Sequence, residues 1–363
     1  MTSGERFIRC LTGQPVDRVP YGVGLGWCPW SETLARWKKE TGRQDLDPAR
    51  EFGFDSSCAG PALHAGIFPG YEWTLLRDEG ELAVYRDEKG ITMRGRKDGG
   101  SMPEFLDYPV KTRADWEKLK AERFNPETPE RIPQDWAAFR DKIRASGEAV
   151  QVGNFPFGVF GTPRDLLGAE TLLIAFYEEP DMLRDMMEHL TTLWLALWAR
   201  VAGEVRIDHI HIWEDMSGRQ GSLISPKMVG EFMMPQYDRI ARFAAAAGVR
   251  VVSVDTDGDC SELVPLMMEH GVNMFMPFEV QAGNDIRAYR RRYPTLGIMG
   301  GLDKRVLAGR RTDVEREVIC AAEMVRHGRY ITGFDHLIPP DASWDNFKYA
   351  AERLKTVCYG QTR

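Results

Sequence analysis

Apolar and polar positions follow two alternating periods along the second half of the chain. Short runs rich in β-branched residues, typical of buried strands, recur between segments whose apolar residues follow the helical period. The predicted strands span 149–153, 207–213, 249–254, 272–276, 296–299 and 329–332. Longer helical segments, such as 180–205, 226–247 and 312–327, separate them. Repeated strand–helix units predict right-handed crossovers and a parallel sheet.

The first third of the chain has a different pattern. Apolar residues at helical spacing predict helices at 3–12 and 30–41, with a first strand at 19–23. Short alternating segments separated by Gly and Asp predict an inserted antiparallel flap at 70–110. Because the strands lack a G-x-G-x-x-G turn, the sequence favours a barrel over a dinucleotide-binding sheet. We predict an α/β protein: one (β/α)8 TIM-type barrel domain over 1–363, with an N-terminal helical extension and the β flap.

Acids follow the ends of several predicted strands. The run 251–254 ends in Asp255 and Asp257, which an extended chain directs to the same side. Loops after the strands of a barrel meet at one mouth, where buried carboxylates need a cation, a base or shared protons. Zinc accepts His and carboxylate ligands, and other divalent metals accept carboxylates. We predict zinc or another divalent metal, with the ligands Asp255, Asp257, Glu279 and His336. The predicted catalytic residues are Asp257, Glu214 and His336.

Each of these residues also has a structural alternative. Asp257 and Gly258 are typical of a solvated turn. Glu214 could cap a helix, and Glu279 could pair with Arg287. His336 could be a hydrogen-bonded structural histidine.

Aromatic residues and one histidine pair indicate where a substrate would bind. Trp27, Phe155 and Phe157 lie beside glycines after predicted strands, and His211 shares a strand face with His209. We predict Trp27, Phe155, Phe157 and His211 as substrate-binding residues. Core packing is the alternative for the aromatic rings, and the methionines of 267–276 are expected to fill the core or an apolar pocket.

The composition of the chain argues against several classes of protein. The chain has 363 residues and a formal net charge of −7, which argues against a general nucleic-acid surface. Its six cysteines include no C-x-x-C pair, so a zinc ribbon or a disulfide framework is not expected. No signal-like core or run of about 20 apolar residues occurs. We expect a cytoplasmic enzyme with no membrane partner.

Three segments resemble the uroporphyrinogen decarboxylase superfamily, which also contains zinc- and corrinoid-dependent methyltransferases. They are 5–20 (ERFIRCLTGQPVDRVP), 300–307 (GGLDKRVL) and 333–340 (GFDHLIPP). The resemblance covers nearly the whole chain and implies the (β/α)8 barrel that the alternating pattern also predicts. The segments are not specific for one reaction.

The departures from the family pattern bear on the reaction. True decarboxylases have an arginine-rich segment after the first strand, whereas this chain has 22–30 (GVGLGWCPW). A substrate with many carboxylates needs bidentate cationic partners, so porphyrinogen decarboxylation is not expected. The methyltransferase branch binds zinc with a His-x-Cys pair and a closing Cys. By position, Asp255 and Asp257 replace that pair and His336 replaces the closing Cys.

A change from sulfur to oxygen and nitrogen ligands favours a harder, oxygen-bearing substrate. The resemblance therefore implies metal-dependent transfer of a methyl group between a small methyl ether and the cobalt of a separate corrinoid protein. Two alternatives remain open: a cofactor-free decarboxylase acting on a small acid, and a non-catalytic barrel that binds a ligand. The flap at 70–110 is a candidate surface for a homodimer.

Overall fold

Six parallel strands form the central sheet of the protein. The computed structural model describes residues 1–99, 102–155 and 157–360. A four-stranded antiparallel sheet precedes the central sheet in the chain. A two-stranded hairpin lies in the chain between two strands of the central sheet. In chain order the strands are β1 (Thr74–Glu79), β2 (Leu82–Arg86), β3 (Thr92–Arg96), β4 (Glu104–Asp107), β5 (Gln151–Gly153), β6 (His209–Trp213), β7 (Ser217–Gly218), β8 (Gly221–Ser222), β9 (Val251–Thr256), β10 (Met274–Pro277), β11 (Gly297–Met299) and β12 (Tyr330–Ile331).

Helices connect successive strands of the central sheet. A π-helical turn, Val229–Met233, joins two of them. The helices are α1 (Ser3–Leu11), α2 (Ser31–Thr41), α3 (Pro48–Phe52), α4 (Arg113–Arg123), α5 (Trp136–Ser146), α6 (Gly161–Leu167), α7 (Ala169–Glu178), α8 (Pro180–Ala202), α9 (Pro226–Met228), α10 (Met234–Ala247), α11 (Leu263–Glu269), α12 (Ile286–Arg292), α13 (Arg311–His327) and α14 (Trp344–Tyr359). None in the described part of the chain is long and apolar enough to cross a membrane.

The central sheet has the strand order β12-β11-β10-β9-β6-β5, and every neighbouring pair is parallel. The order follows the chain from one edge to the other, as expected when each crossover is right-handed and short. The parallel α/β architecture predicted from the sequence is therefore present. The strands are short, and β9 is buried along its whole length because helices and loops cover both faces.

The strand predicted at 19–23 is wrong. In place of a backbone ladder, the Tyr21 amide donates to the Asp55 carboxylate and its carbonyl accepts from the Asp55 amide. Pro20 has no N–H to contribute to a ladder. The segment nevertheless lies beside the core, since Val19, Tyr21 and Val23 are buried.

The flap (β1–β4) lies within the range where the sequence predicts hairpins; residues 100 and 101 of that range lie outside the described residues. Its strands pair in the order β1-β2-β3-β4. Several large apolar side chains around these strands are exposed: Trp73, Leu75, Leu76, Phe105 and Leu106. The homodimer stays a prediction, and sedimentation velocity would test it.

Candidate active site

A cavity of about 800 Å³ lies along one face of the central sheet, beneath segments 22–29 and 46–57. Side chains of a strand alternate between its two faces, so residues two apart share one face. His209 and His211 of β6 and Met274 and Met276 of β10 line the cavity in this way. Asp255 of β9 lies between them and also lines it. The sheet register therefore places a polar group beside the methionines of the cavity wall.

A chain of polar contacts crosses this wall. The Ser253 hydroxyl lies 2.7 Å from Nε2 of His209 and 2.7 Å from Nδ1 of His211. The other ring nitrogen of His211, Nε2, lies 3.8 Å from Oδ2 of Asp255. All four side chains are buried. The two histidines, the serine and the aspartate are called the inner polar row below.

Burial sets the protonation of the inner polar row. It lowers the pKa of His211 to about 4 and lowers the pKa of His209 well below its ordinary value. Burial, and then the nearby charges of Asp257 and Asp215, raise the pKa of Asp255 well above its ordinary value. Neutral imidazoles and a protonated carboxyl are therefore favoured. A carboxyl that keeps its proton in a cavity can act as a general acid.

A second group of charged residues lies where β9, β10 and β12 end. Asp257 Oδ2 is 3.6 Å from His336 Nε2, and Glu279 Oε1 is 3.4 Å from Lys304 Nζ. Lys304 Nζ is also 3.7 Å from Oδ1 of Asp335. These five residues are called the acidic cluster. Burial and then Glu279 raise the pKa of Asp257 to about 7, whereas Lys304 opposes that shift.

Backbone conformation also marks these strand ends. Asn154, Asp215 and Phe278 directly or closely follow β5, β6 and β10, and each has a positive φ. Non-glycine residues in this region are strained, and such strain concentrates at functional sites. The turn at Gly258 belongs to the same edge: its φ is +74°, and its amide donates to Glu279. Gly258 is buried in a bend and not in the solvated turn that was the alternative for this segment, and its hydrogen bond ties the end of β9 to the residues after β10.

The predicted metal ligands do not assemble into a metal site. Asp255 faces the cavity beside His211, whereas Asp257, Glu279 and His336 belong to the acidic cluster. Among the described residues, no group of three or more His, Cys, Asp or Glu side chains is placed to hold a metal ion. Lys304 already supplies positive charge to the acids of the cluster. The residues present therefore do not fit the predicted zinc or other divalent metal.

Glu214 lies away from the cavity and is fully buried. Its carboxylate accepts hydrogen bonds from the amides of Val159, Phe160 and Gly161, at 3.0, 2.7 and 3.0 Å, and from the Tyr237 hydroxyl at 2.6 Å. The three amides lie at the start of α6, where N–H groups have no helical partner. Glu214 thus fixes the loop between β5 and α6. A catalytic role for it stays a prediction.

The predicted substrate-binding residues separate into two groups. Trp27 and His211 line the cavity, and the Trp27 indole N–H donates to the Thr332 carbonyl at 2.8 Å. Phe155 instead lines a smaller cavity of about 440 Å³ between segment 63–70, the β2–β3 turn and α6, with Lys89 over its ring.

Phe157 is buried against Trp194 and Trp198 of α8, with ring centroids 5.6 and 5.7 Å apart. Its surroundings are those of a core residue, which was the alternative given for it.

Three important residues were not selected from the sequence. Ser253 precedes Asp255 by two positions and so shares its face of β9, a signal that was available in the pattern. Met299 lines the cavity, as do the methionines of β10. Lys304 is 47 residues from Asp257 in the chain, so the sequence carried no local signal of their proximity.

Asp257 is expected to make stability fall with rising pH. Its pKa in the folded chain is about 7 against an ordinary 3.8, so the folded state binds more protons between these values. The wild type should lose stability from about pH 4 to pH 7 relative to Asp257→Asn, and the difference should level off above that. Urea unfolding of both proteins across this range measures it; a constant difference would contradict the shift.

A parallel sheet with a polar cavity on one face, and strained residues where its strands end, is typical of α/β enzymes. The family model for uroporphyrinogen decarboxylase (URO-D) matches residues 81–357, and the chain belongs to that family. No curated protein matches the chain. Among solved structures, it is similar to a methyltransferase from Methanosarcina mazei, with a TM-score of 0.58, 16% identity and 98% of each chain covered. At this identity the similarity supports the fold.

Proposed function

We propose that this protein transfers the methyl group of a small, neutral methyl ether to the corrinoid of a separate protein. The observation that carries the proposal is the charge of the cavity. Its described lining residues include no Lys or Arg, while a buried carboxyl, Asp255, favours its protonated form. An anionic substrate would enter without a cationic partner, whereas a neutral ether would not need one.

The apolar wall supports the same class of substrate. Met274, Met276, Met299 and Trp27 present polarisable and aromatic surface to the cavity. Such side chains adapt to the faces of an aromatic or aliphatic ligand. The absence of arginine from 22–30 agrees with a lining that holds no Lys or Arg, and the acids Asp47 and Asp55 of that lining would likewise disfavour an anionic substrate. The similar solved structure is titled a methyltransferase, which supports the reaction class.

Asp255 would assist the step in which the methyl–oxygen bond breaks. The methyl carbon leaves to the acceptor, the bonding pair stays on the ether oxygen, and Asp255 gives its proton to that oxygen. General acids of this kind accelerate reactions by about 10²–10⁴-fold. His211, with Nε2 3.8 Å from the carboxyl, would stabilise the carboxylate that forms by turning an N–H toward it.

Methyl transfer can be measured without knowing the partner protein. Free cob(I)alamin replaces the corrinoid protein, and 2-, 3- and 4-methoxyphenol serve as methyl donors. Loss of cob(I)alamin absorbance together with formation of the demethylated phenol would support the proposal. Release of carbon dioxide from benzoates, without methyl transfer, would replace it by the decarboxylase alternative. Binding without either reaction would favour the non-catalytic barrel.

Removal of divalent metals is expected to leave this activity unchanged, because the described side chains do not form a metal site. The protein would be dialysed against EDTA and then a metal-free buffer, and its residual metal measured by mass spectrometry. Activity should stay within about two-fold of the untreated protein, and added zinc should not raise it. Activity that disappears with the metal and returns with zinc would restore the metal-dependent alternative.

A further inference from the structure

The flap (β1–β4) is a sheet with one apolar face. Directly paired residues of neighbouring antiparallel strands lie on the same face of a sheet. The strand pairing therefore brings four side chains onto one face, from edge to edge: Leu75, Tyr85, Met93 and Phe105. Ala83 and Gly95 lie on this face as well, each two residues from a member of that set. These six residues are called the apolar face below.

The opposite side of the flap carries most of its charge. Side chains alternate along each strand, so the neighbours of the apolar residues point to that other side. The charged residues there are Arg77, Glu79, Arg86, Arg94, Arg96, Glu104 and Asp107. Among the described residues of β1–β4, the apolar side has one charge, Asp78, whose carboxylate lies 2.6 Å from Nζ of Lys97. An antiparallel sheet with this pattern usually buries its apolar face.

The core of the central sheet does not bury the apolar face. In the described part of the chain, none of its six residues belongs to that core or packs against it. Met93 in the middle is buried, whereas Leu75 and Phe105 at the two edges are 46% and 44% exposed. Trp73 extends the exposed surface, because its ring stacks on Tyr85 with centroids 5.8 Å apart and is itself 49% exposed. An open apolar patch of this kind marks an interaction site.

The edges of the flap disfavour a partner that would add a strand. β1 and β4 are its edge strands, and each contains a bulge where one residue is left out of the pairing. The residue is Leu76 in β1 and Leu106 in β4. A bulge bends an edge strand and interrupts the row of free N–H and C=O groups that another strand would need. A partner is therefore expected on the apolar face and not along an edge.

We propose that a second copy of this chain covers the apolar face, with the two flaps packed face to face. Twisted sheets complement one another in this way, at a separation of about 10 Å and with their strands about 30° apart. A two-fold contact brings the same surface together from both chains, so a face with unpaired charge would repel its copy. The apolar face avoids this, because Lys97 neutralises Asp78 within each chain. The inference does not depend on the proposed methyl transfer.

The size of the flap sets the strength expected of this dimer. Its four strands of four to six residues span roughly 19 by 17 Å, a flat area of about 300 Å². Standard interfaces bury about 800 Å² per partner, so contact through the flap alone should be weak. We expect a dissociation constant of about 1–100 μM and exchange between monomer and dimer. Sedimentation velocity of the full chain across this range of concentrations measures it.

Leu75→Lys and Thr74→Lys place the same charge on opposite sides of β1. Leu75 belongs to the apolar face, whereas Thr74 pairs with Arg86 on the charged side. A two-fold contact meets each substitution twice, so Leu75→Lys should raise the dissociation constant at least about 100-fold. Thr74→Lys should change it less than about three-fold. Phe105→Lys, at the other edge of the apolar face, should repeat the effect of Leu75→Lys.

Circular dichroism and thermal unfolding establish that each variant is folded before it is sedimented. If Leu75→Lys does not fold, Phe105→Lys and the concentration series of the wild type still decide. A wild type that stays monomeric throughout the range would overturn the inference and leave the apolar face to a different protein. A dimer that survives both Leu75→Lys and Phe105→Lys, or that Thr74→Lys weakens equally, would overturn it too.

Discussion

Replacement of Asp255 by Asn is expected to lower kcat/KM for methyl transfer by roughly 10²–10⁴-fold, the range of a lost general acid. The amide has the size of the carboxyl but cannot give up a proton to the leaving oxygen. Asp255 is buried in the cavity wall beside His211, and burial favours its protonated form. The variant should fold normally, because the neutral amide resembles the neutral acid. Initial rates with cob(I)alamin and a methoxyphenol measure the effect.

Asp257→Asn is the matched control for this experiment. Asp257 lies two residues further along and belongs to the acidic cluster, 3.6 Å from His336. If the acid in the cavity wall assists bond cleavage, the loss in Asp257→Asn should be at least 10-fold smaller than the loss in Asp255→Asn. An equal or larger loss in Asp257→Asn would contradict the role of Asp255 and favour the sequence prediction that Asp257 and His336 are catalytic.

Glu214→Ala is expected to destabilise the fold strongly. The change leaves three amides and the Tyr237 hydroxyl buried without their acceptor. At about 1–3 kcal/mol for each unpaired group, a loss of at least about 3 kcal/mol in the free energy of unfolding should result. Urea unfolding followed by circular dichroism measures it. Activity should fall with the folded fraction because the loop before α6 loses its anchor.

Glu214→Gln serves as the control because its amide keeps one acceptor oxygen. Its loss of stability should be clearly smaller than that of Glu214→Ala. If Glu214→Ala unfolds at the same urea concentration as the wild type but loses its activity, the anchoring role would be wrong. A catalytic role for Glu214 would then be supported.

Much of the fold could be predicted from the sequence because its signals are local. The predicted runs that end at Gly153, Trp213 and Val254 correspond to β5, β6 and β9, and the helical periods between them correspond to the connecting helices. Buried parallel strands are rich in apolar and β-branched residues, which the sequence displays directly. The strand expected at 19–23 failed because tertiary hydrogen bonds of Tyr21 to Asp55 replaced a ladder.

The candidate site was predictable only in part. The two-residue period placed His211 on one face with His209, but only the register between the strands brought Asp255 to the same face. The cations that pair with the acids could not be predicted from this period. Glu279 was given Arg287 as its alternative partner, but Arg287 pairs with Glu323 and Glu279 lies beside Lys304. Several cations could neutralise an acid, and packing selects one of them.

By itself, the sequence determined the parallel α/β plan, the family and the lack of arginine in segment 22–30, because periodicity, motifs and composition can be read along the chain. Only the tertiary structure decided what the acids do. It placed Asp255 in the wall of the cavity, hydrogen-bonded Glu214 to amides at the start of a helix, and placed Lys304 beside Glu279. The physical reason is that a carboxyl's pKa and partners depend on the burial and charges that folding brings near it.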